Sequence, residues 1–566
     1  MNSSKTASPP DRPAVPAGRD DQAFPELSAD QISRVRPFAE CLSLKSGTIV
    51  FQRGQREADF LVVLRGCVEI YDYDCQGEAQ VFTRHCANQF TGEIDLFSKR
   101  KVLVAGRTAG ETEVLRFDRR QFREMLAAEP DVAEVVIRAF IIRRLGILEQ
   151  NLGGSYLIGR RNDPLTLQIR RFLRGNGYPV RTLFAEDENE TASILEKVGL
   201  GEDDLPVFLC SGEDVLSKPG LVEVAETIGI MERPDPDTVY DIAVIGGGPG
   251  GMAAAVYAAS EGLQTVVLER EAPGGQASTS SKIENYLGFP VGLSGQELAG
   301  RAQIQAQKFG ATLALPMDVV GIEGQSPPYA IKIAGGHRVH CRSIVIASGA
   351  TYRRLGLEND RHFEGRGIHY AATAMEGGLC ENQQAVVVGG GNSAGQAAVF
   401  LSSVCSHVHI LVRRDSLASS MSDYLIQRID ASKKITLHCE IEIVRLQGDD
   451  HLETITWRNR RTGVESSHPI GHLFLMIGAQ PNSDFLNGCV LTDAQGFICT
   501  GADVVAQGRW PLEHREPEIF ETSLPCVFAV GDIRAGSIKR VASAVGEGSI
   551  CVQFVHRLLA EQLSRL

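Results

Sequence analysis

Short apolar runs alternate with glycine-containing turns over residues 29 to 150. The segments "GTIVFQRG", "FLVVLRGCVEIYDYD" and "EVLRFD" are rich in β-branched and aromatic residues, which predicts a compact β-rich domain. The region ends in "AEVVIRAFIIRRLGILEQ", whose apolar residues recur at helical spacing. We therefore expect a β-rich domain that closes with a long helix.

The segments on either side of this domain differ from it in pattern. Residues 1 to 28 are rich in Ser, Pro and Asp and poor in large apolar side chains, which predicts a disordered lead. Residues 151 to 235 combine the amphipathic run "LTLQIRRFLRGNG" with the apolar runs "VRTLFAE" and "LPVFLCSG". A helix ending at glycine, followed by two strands, indicates a small α/β domain.

The remaining sequence opens with a strand, a glycine-rich turn and a small-residue helix, "DIAVIGGGPGGMAAAVYAA". Gly246, Gly248 and Gly251 stand at GxGxxG spacing. Only glycine permits the tight turn and the close approach of the backbone to a pyrophosphate, which lies on the positive end of the helix. Glu269 ends the next apolar strand, where a carboxylate can accept hydrogen bonds from a ribose. Together these features predict a dinucleotide site.

The pattern recurs in "QAVVVGGGNSAGQAAVFLSS", whose loop residues are Gly389, Gly391, Asn392 and Ser393. The strand that follows, "HVHILV", leads to Arg413 and Arg414 instead of an acid. Two guanidinium groups suit the extra 2'-phosphate of NADP, which a carboxylate would repel. The second site is therefore expected to prefer NADP.

Composition limits the classes of function. A chain of 566 residues with 43% hydrophobic and 22% charged residues is typical of a soluble protein of three to four domains. Its net charge of -13 argues against binding to nucleic acid or anionic membranes. We find no apolar run of ~18 residues and no signal core, so we expect no membrane span and a cytoplasmic protein. The 13 cysteines form no CxxC, zinc or disulfide spacing, which favours reduced thiols for most of them and no metal site.

Further motifs connect the two loops to a known family. "PGGQAS", "IENYLGFP", "IVIASGA", "LFLMIGAQPN" and "VFAVGDIRAGSIKRVASAVGEGS" follow in order. With the two loops they resemble the thioredoxin-reductase family of two-dinucleotide flavoproteins over residues 240 to 566. The resemblance implies an FAD domain in two pieces, 240 to 355 and 478 to 566, with an NADP domain at 356 to 477 that rotates against it. It also implies FAD and NADPH as cofactors and a homodimer.

The resemblance also implies which side chains line the flavin. Carried over by position, the additional FAD residues are Gly275, Gln276, Asn285, Asp532, Arg540, Val541 and Ala542. Asp532 would hydrogen-bond the ribityl or phosphate region. The last three replace the family's Arg-Gln-Ala beside the isoalloxazine, where the dipole of the following helix lies near the ring.

One family motif is missing. Family members usually carry "CATC" followed by an acid just before the second dinucleotide strand, whereas this chain has "AATA" with Ala371 and Ala374 in place of the thiols. A thiolate is the nucleophile of disulfide exchange, and alanine cannot supply one. No catalytic residue for that reaction is therefore assigned. Cys380 lies six residues beyond Ala374; without a resolving cysteine nearby in sequence, a structural thiol is favoured over a redox role.

The N-terminal domain resembles a cyclic-nucleotide-binding domain. In "FTGEIDLFSKRKVLVAGRT", Gly92 and Glu93 keep the turn and the ribose-binding acid of its phosphate cassette, but Val102 takes the place of the cassette arginine. Losing such a charge-assisted contact typically costs ~1.5 to 3 kcal/mol. Lys99, Arg100 or Lys101 could substitute, or could form a solvated basic turn. The sequence therefore leaves open whether this domain binds a cyclic nucleotide.

The middle domain resembles a thioredoxin or glutaredoxin fold, with Pro206 at the position of that fold's cis-proline. No cysteine lies between Cys86 and Cys210, so the domain lacks the fold's redox thiols. A docking or spacing module is therefore favoured over a redox partner.

The expected fold is multidomain: an N-terminal β-roll, a small thioredoxin-like α/β domain, and two Rossmann-like FAD and NADP domains. The leading function is an enzyme in which NADPH delivers hydride to FAD and electrons pass to an unidentified protein or small-molecule acceptor. Two alternatives stay open. One is a thioredoxin-disulfide reductase that uses an unconventional thiol, and the other is a nucleotide- and redox-responsive sensor or scaffold with little turnover.

Overall fold

The computed structural model describes residues 20–563, with gaps at 57, 74–78, 93–95, 97–100, 150–154, 162, 187, 211–213, 281–282, 284–285, 371, 373, 419 and 450. The N-terminal helices are α1 (Asp20–Ala23) and α2 (Ala29–Val35). Two antiparallel sheets, ordered β1-β7-β3 and β2-β6-β4-β5, follow. Their strands are β1 (Glu40–Leu44), β2 (Ile49–Phe51), β3 (Phe60–Arg65), β4 (Cys67–Tyr73), β5 (Ala79–Cys86), β6 (Ala105–Thr108) and β7 (Thr112–Phe117).

The domain closes with α3 (Arg119–Ala128) and the long helix α4 (Pro130–Glu149), as the sequence predicts. An aromatic core lies between β3, β7 and these helices, formed by Phe60, Phe90, Phe117, Phe122 and Phe140. Leu115 and Phe117 of β7 pack into this core, whereas Val114 packs into a second core on the other face, because successive side chains of a strand point to opposite faces.

The structure differs from the predicted disordered lead at residues 20–27. Phe24 and Leu27 are buried, and Ala23 packs with Phe24 against Ile142 of α4. The Ala23 carbonyl accepts a 2.7 Å hydrogen bond from Arg143. The averaged composition of the lead conceals these few apolar residues, because they are stabilised by tertiary contacts rather than by a local pattern. Residues 1–19 lie outside the described part of the chain.

The expectation of reduced thiols is wrong for one pair, because Cys67 and Cys86 form a disulfide. The two residues are direct partners on the antiparallel strands β4 and β5, with Cα atoms 4.1 Å apart. Their sequence separation of 19 residues matches no disulfide signature, so only the strand register reveals the pairing.

The middle domain contains β8 (Tyr156–Gly159), α5 (Pro164–Gly175), β9 (Arg181–Phe184), α6 (Glu188–Lys197), β10 (Val207–Cys210), β11 (Asp214–Ser217) and α7 (Leu221–Thr227). The sheet order is β11-β10-β8-β9, with β8 parallel to β9 and the other pairs antiparallel. This βαβαββα topology confirms the thioredoxin-like fold. The Leu205–Pro206 peptide bond is cis, as predicted.

The first Rossmann-like unit is a mixed sheet ordered β14-β13-β12-β17-β16-β15, with the C-terminal strand β28 (Val527–Ala529) pairing with β17. Its elements are β12 (Val239–Ile245), α8 (Pro249–Ser260), β13 (Thr265–Leu268), α9 (Gly295–Lys308), β14 (Thr312–Ala314), β15 (Val319–Glu323), β16 (Tyr329–Ile333) and β17 (Arg338–Ile346). The strands β12, β13, β14, β17 and the C-terminal β28 are parallel, so the chain returns to this sheet after the second unit.

A two-stranded ribbon connects the units and pairs β18 (Ala350–Tyr352) with β27 (Ala479–Pro481). The chain segment between these two strands forms a parallel sheet ordered β19-β26-β20-β21-β22. Its elements are β19 (Ile368–His369), α10 (Ala374–Leu379), β20 (Gln384–Val388), α11 (Asn392–Val404), β21 (His407–Leu411), α12 (Asp423–Ala431), β22 (Ile435–His438) and β26 (His472–Leu475). A meander covers it, with strands β23 (Ile441–Gln447), β24 (Thr454–Asn459) and β25 (Glu465–His468).

The chain ends with α13 (Ala502–Ala506), β28 (Val527–Ala529) and α14 (Val541–Leu563). Helices α14 and α8 pack so closely that a methyl group at Gly548 would lie 2.1 Å from the Gly250 carbonyl oxygen. In the described residues, no helix has the length and apolar character needed to cross a membrane.

Candidate functional site

The first glycine loop joins β12 to α8. Gly246 has a φ of +100°, and a methyl group on it would lie 2.5 Å from the Ala347 carbonyl oxygen. A methyl group on Gly251 would lie 2.0 Å from the Gly246 carbonyl oxygen. At Gly248, the N-cap of α8, the same methyl group would meet nothing within 4 Å. Two glycines thus serve the tight turn, and the third leaves open space at the positive end of a helix, which fits a pyrophosphate.

Glu269 lies at the edge of this loop, directly after β13. Its carboxylate accepts hydrogen bonds from the main-chain N–H of Gly247 at 2.6 Å and of Glu271 at 2.8 Å. Burial raises its pKa, and the backbone donors oppose that change. The acid is therefore held rigidly beside the glycine turn, at the place where the sequence motif predicts a ribose partner.

Other predicted flavin residues gather around the same loop. A methyl group on Gly275 would lie 3.2 Å from the Gly248 Cα atom, and the Gln276 amide donates to the Ala350 carbonyl on the ribbon. On the far side, Gly250 packs against Val530. The structure thus brings the early glycine motifs and the C-terminal segment together, whereas Asn285 lies outside the described residues.

Asp532 follows β28 and is half-buried, which raises the pKa of its carboxyl group. Its main-chain carbonyl accepts a 2.7 Å hydrogen bond from the Lys539 ammonium group. Arg540 is exposed just before α14, which begins at Val541 and continues through Ala542. The N-terminus of a long helix thus follows the Asp532 turn, which fits the predicted placement of a helix dipole near the ring.

The second glycine loop joins β20 to α11. A methyl group on Gly389 would lie 2.4 Å from the Met476 carbonyl oxygen, and Gly391 is the N-cap of the helix. The segment after the arginines folds back onto this loop, because the Asn392 side-chain oxygen accepts the Ser422 N–H at 2.8 Å. Ser420 also donates to the Gly390 carbonyl at 2.8 Å. Sequence reasoning missed both serines, since neither belongs to a motif.

Arg413 and Arg414 follow β21 and are exposed. Sequence reasoning missed a third cation, Arg460, which follows β24 and donates to the Arg413 carbonyl at 3.2 Å. Arg458 and Arg460 pair with Glu442 at 2.6 and 3.5 Å. Together with Arg413 they hold the pKa of that carboxyl group low. The Arg460 guanidinium group therefore lies beside the main chain of Arg413, at the strand end where the sequence predicts the 2'-phosphate.

The "AATA" segment leads from β19 into α10. Ala371 lies outside the described residues, and Ala374 is the first residue of α10. Cys380 is buried after this helix, and its sulfur lies 3.4 Å from the sulfur of Cys405, which is also buried. The expectation of no resolving thiol considered sequence distance alone. Cys405 is 25 residues away and was therefore missed.

Two tyrosines join the ribbon to the second unit. Tyr352 of β18 and Tyr370, just after β19, stack with ring centroids 5.2 Å apart and planes 13° apart. Burial, with nearby Asp532, raises the pKa of Tyr352. The Tyr370 hydroxyl donates to Glu364 at 2.7 Å, and Glu364 pairs with Arg354 at 3.1 Å. The stack therefore connects the flavin side of the ribbon to the start of the "AATA" segment.

The N-terminal cassette is only partly described. Gly92 has a φ of +107°, and its carbonyl accepts a 3.1 Å hydrogen bond from the buried Arg143. Glu93, Lys99 and Arg100 lie outside the described residues. Val102 is partly buried against the core, consistent with an apolar residue at the arginine position. Lys101 is neither a free phosphate ligand nor a solvated side chain, because its ammonium group donates to the Thr227 carbonyl of the middle domain at 2.9 Å.

Comparison with known proteins matches this architecture. The family model of the pyridine nucleotide-disulphide oxidoreductases covers residues 240–548, and the model of cyclic nucleotide-binding domains covers 41–129. The chain is similar to the thioredoxin reductase of Mycolicibacterium smegmatis, with 34% identity over 326 residues, 57% of this chain and 98% of that protein. NADPH-dependent thioredoxin reductase 3 of Arabidopsis thaliana is 34% identical over 331 residues, 57% of this chain and 59% of that protein.

Among solved structures, the thioredoxin reductase from Giardia duodenalis superposes with a TM-score of 0.50 at 27% identity, covering 57% of this chain and 100% of that chain. The fold, the two glycine loops and these matches define a two-dinucleotide oxidoreductase. The chain belongs to the pyridine nucleotide-disulphide oxidoreductase family. It is a thioredoxin-reductase-like flavoprotein that uses FAD and NADPH and carries an additional N-terminal cyclic nucleotide-binding domain.

Proposed function

We propose that the enzyme passes electrons from NADPH through FAD directly to an external acceptor, without a dithiol relay. The observation that carries this proposal is alanine at both relay positions, Ala371 and Ala374, in a chain that keeps both dinucleotide loops. The chemistry supplied by bound FAD is acceptance of a hydride and its release as electrons. Exchange with a protein disulfide needs a thiolate, which alanine cannot provide.

The chain's own residues have binding and positioning roles in this proposal. Gly248 and the start of α8 hold the FAD pyrophosphate, and Glu269 accepts hydrogen bonds from the adenosine ribose. Asp532 orients the ribityl chain. The remaining positions assigned to the flavin site are Gly275, Gln276, Asn285, Arg540, Val541 and Ala542.

The second loop binds NADPH in this proposal. Asn392 and Ser393 at the start of α11 lie at the pyrophosphate, and Arg413 and Arg414 bind the 2'-phosphate. The position of Arg460 beside Arg413 supports its inclusion in the same phosphate site. Three guanidinium groups would distinguish NADPH from NADH mainly by charge.

A direct comparison of two acceptors tests the proposal. Purified holoenzyme with NADPH should reduce ferricyanide but reduce thioredoxin weakly or not at all. The matched variant Ala371→Cys/Ala374→Cys restores the two thiols of the family motif and should gain thioredoxin turnover. In contrast, robust thioredoxin turnover by the unaltered protein that disappears in Cys380→Ala would establish the alternative, a reductase with an unconventional thiol.

The physiological acceptor in our proposal is a one-electron protein or a quinone-like molecule.

A second candidate function, regulation by a nucleotide, is favoured by a chain of contacts between domains. Lys101 in the cassette region donates to Thr227 of the middle domain at 2.9 Å. The end of α5 in that domain meets the FAD unit, where Gln296 donates to the Gly175 carbonyl at 3.0 Å. Through these contacts, a ligand at the N-terminal domain can bias the FAD unit. Flavin reduction by NADPH, measured by stopped-flow with and without cyclic AMP or cyclic GMP, tests this role.

The homodimer implied by the family resemblance stays a prediction, as do the exact domain limits. Sedimentation of the purified holoenzyme measures the oligomeric state directly. A mass near twice 61.3 kDa is the expected result.

A further inference from the structure

Two buried thiols meet where the linker helix joins the NADP unit. Cys380 follows α10, Cys405 follows α11, and their sulfur atoms are 3.4 Å apart. Both side chains have no solvent exposure. Main-chain hydrogen bonds hold the two segments together on either side of the pair, from Asn382 to Val404 at 3.0 Å and from Ser406 to Gln383 at 2.9 Å. The contact is therefore fixed by the backbone rather than by mobile side chains.

The two thiols differ in chemistry. The Cys405 thiol donates a hydrogen bond to the sulfur of Cys380, which lowers the pKa of Cys380 and raises that of Cys405. Cys380 in turn donates to the main-chain carbonyls of Glu376 and Gly377 at 3.3 and 3.4 Å. Because only the Cys380 sulfur has a thiol donor facing it, Cys380 is the thiol that loses its proton first and the better nucleophile of the two. Closing a disulfide requires the sulfur atoms to approach to about 2.05 Å, a movement of little more than 1 Å.

We propose that Cys380 and Cys405 form a redox-active pair that hydrogen peroxide closes to a disulfide. The Cys380 thiolate attacks one peroxide oxygen, which breaks the O–O bond, gives a sulfenic acid and releases hydroxide that takes up a proton. The Cys405 sulfur then attacks the Cys380 sulfur, forms the S–S bond and expels water. Two thiols and one peroxide thus become one disulfide and two water molecules.

Burial restricts which reagents reach the pair. A peroxide is small enough to enter through a brief opening of the short helix α10, whereas a protein disulfide is not. The pair is therefore a modification site and not a relay to thioredoxin. Its closure would link the end of the "AATA" helix to the end of α11, whose first residue, Asn392, belongs to the NADP loop. The inference does not depend on which acceptor the enzyme uses.

Peptide mapping of the full-length holoenzyme tests the site. The protein is treated with increasing hydrogen peroxide, quenched in acid, denatured and alkylated, then digested without reduction. We expect a cross-linked peptide that contains Cys380 and Cys405. Cross-linking should be complete at a peroxide dose at which the buried Cys341 can still be alkylated. Reduction with dithiothreitol should remove it. Cys405→Ser should stop the reaction at sulfenic acid on Cys380, whereas Cys341→Ser should leave the cross-link intact.

Two results would overturn the inference. One is that Cys380 and Cys405 both remain alkylatable after denaturation, at a dose that fully oxidises the exposed Cys41. The other is that each thiol pairs with a different cysteine. Because the mapping is done on the unaltered protein, the conclusion does not require any variant to fold. The double variant Cys67→Ser/Cys86→Ser removes the existing disulfide, so that a rise in melting temperature on oxidation can be assigned to the new bond.

Discussion

Asn176, just after α5, donates its side-chain amide to the main-chain carbonyl of Glu271 at 2.8 Å. Glu271 in turn donates its N–H to the carboxylate of Glu269, the acid beside the first glycine loop. The thioredoxin-like domain is thus attached within two residues of the proposed ribose contact. A domain without redox thiols therefore supports the wall of the FAD unit, which agrees with a docking role.

Weakening this attachment should loosen the middle domain without unfolding it. In the double variant Asn176→Ala/Gln296→Ala, we expect the loss of three interdomain hydrogen bonds, one from Asn176 and two from Gln296. A hydrogen bond of this kind contributes roughly 0.5 to 1.5 kcal/mol. Limited proteolysis around residues 228–238 should be faster, and FAD should dissociate more readily during dialysis. Gln305→Ala, an exposed change on the same helix as Gln296, is the control. Equal proteolysis rates in the three proteins would show that the contact does not hold the domain.

Flavin binding should depend on the open space at Gly248. In Gly248→Val the new side chain would fill the region where we place the pyrophosphate, so the protein should purify without yellow colour. The ratio of the absorbance at about 450 nm to that at about 280 nm measures the occupancy of the protein by flavin. Gly300→Ala lies in the middle of α9 with nothing within 4 Å of the added methyl group, and it should keep full flavin. Full flavin in Gly248→Val would contradict the assigned site.

Cofactor preference should depend on the arginine cluster. We expect Arg413→Ala to lower kcat/KM for NADPH about tenfold or more, because a charge-assisted phosphate contact contributes roughly 1.5 to 3 kcal/mol. The value for NADH should change little, since NADH lacks the phosphate. Arg460→Ala should have the same direction with a smaller effect. Exposed Arg428→Ala on α12 serves as the control, and a loss of similar size there would mean that general charge, not the site, explains the result.

Stability of the NADP unit should fall in mild acid. Burial lowers the pKa of His369 and of His409 to about 4, from an ordinary value of 6.5. Their ring nitrogens lie 3.5 Å from His472 and 3.1 Å from His438. Since the unfolded chain binds more protons between pH 6.5 and 4, the stabilisation is present above pH 6.5 and is lost as the pH falls towards 4. Urea unfolding at pH 7 and pH 5 measures the difference.

The variant His369→Leu/His409→Leu should flatten this pH dependence, because leucine cannot take up a proton. Exposed His337→Leu, on the other unit, should leave the dependence unchanged. If all three proteins lost the same stability between pH 7 and pH 5, the buried histidines would not be its source.

The glycine loops could be predicted from the sequence because their requirement is local. Gly246 and Gly389 have φ values of +100° and +143°, which their own turns require, and the periodicity of the apolar residues indicates the neighbouring strands and helices. Arg460 and Cys405 could not be predicted, since each reaches its partner through the packing of another strand or helix. The disulfide between Cys67 and Cys86 depends in the same way on strand register, which a spacing rule does not contain.

The predictions for the N-terminal lead and for Lys101 of the cassette were wrong for a different reason. Phe24 and Leu27 are two apolar residues in a polar segment, and their burial follows from the surface that α4 offers them. Lys101 was considered only as a phosphate ligand or a solvated side chain, because the position of the middle domain beside the cassette cannot be inferred from sequence alone. Its contact with Thr227 exists only in the assembled molecule.

The stacked pair Tyr352 and Tyr370 has a mechanical consequence. Tyr352 lies on the ribbon strand β18, and Tyr370 directly follows β19, the first strand of the NADP sheet, so the stack spans the connection between the FAD and NADP units. An aromatic pair is worth about 0.5 to 1.5 kcal/mol beyond its buried area, which favours the stacked arrangement roughly two- to tenfold. The stack therefore stabilises the present arrangement of the two units, and the rotation that the family resemblance implies for the NADP unit would have to separate the two rings.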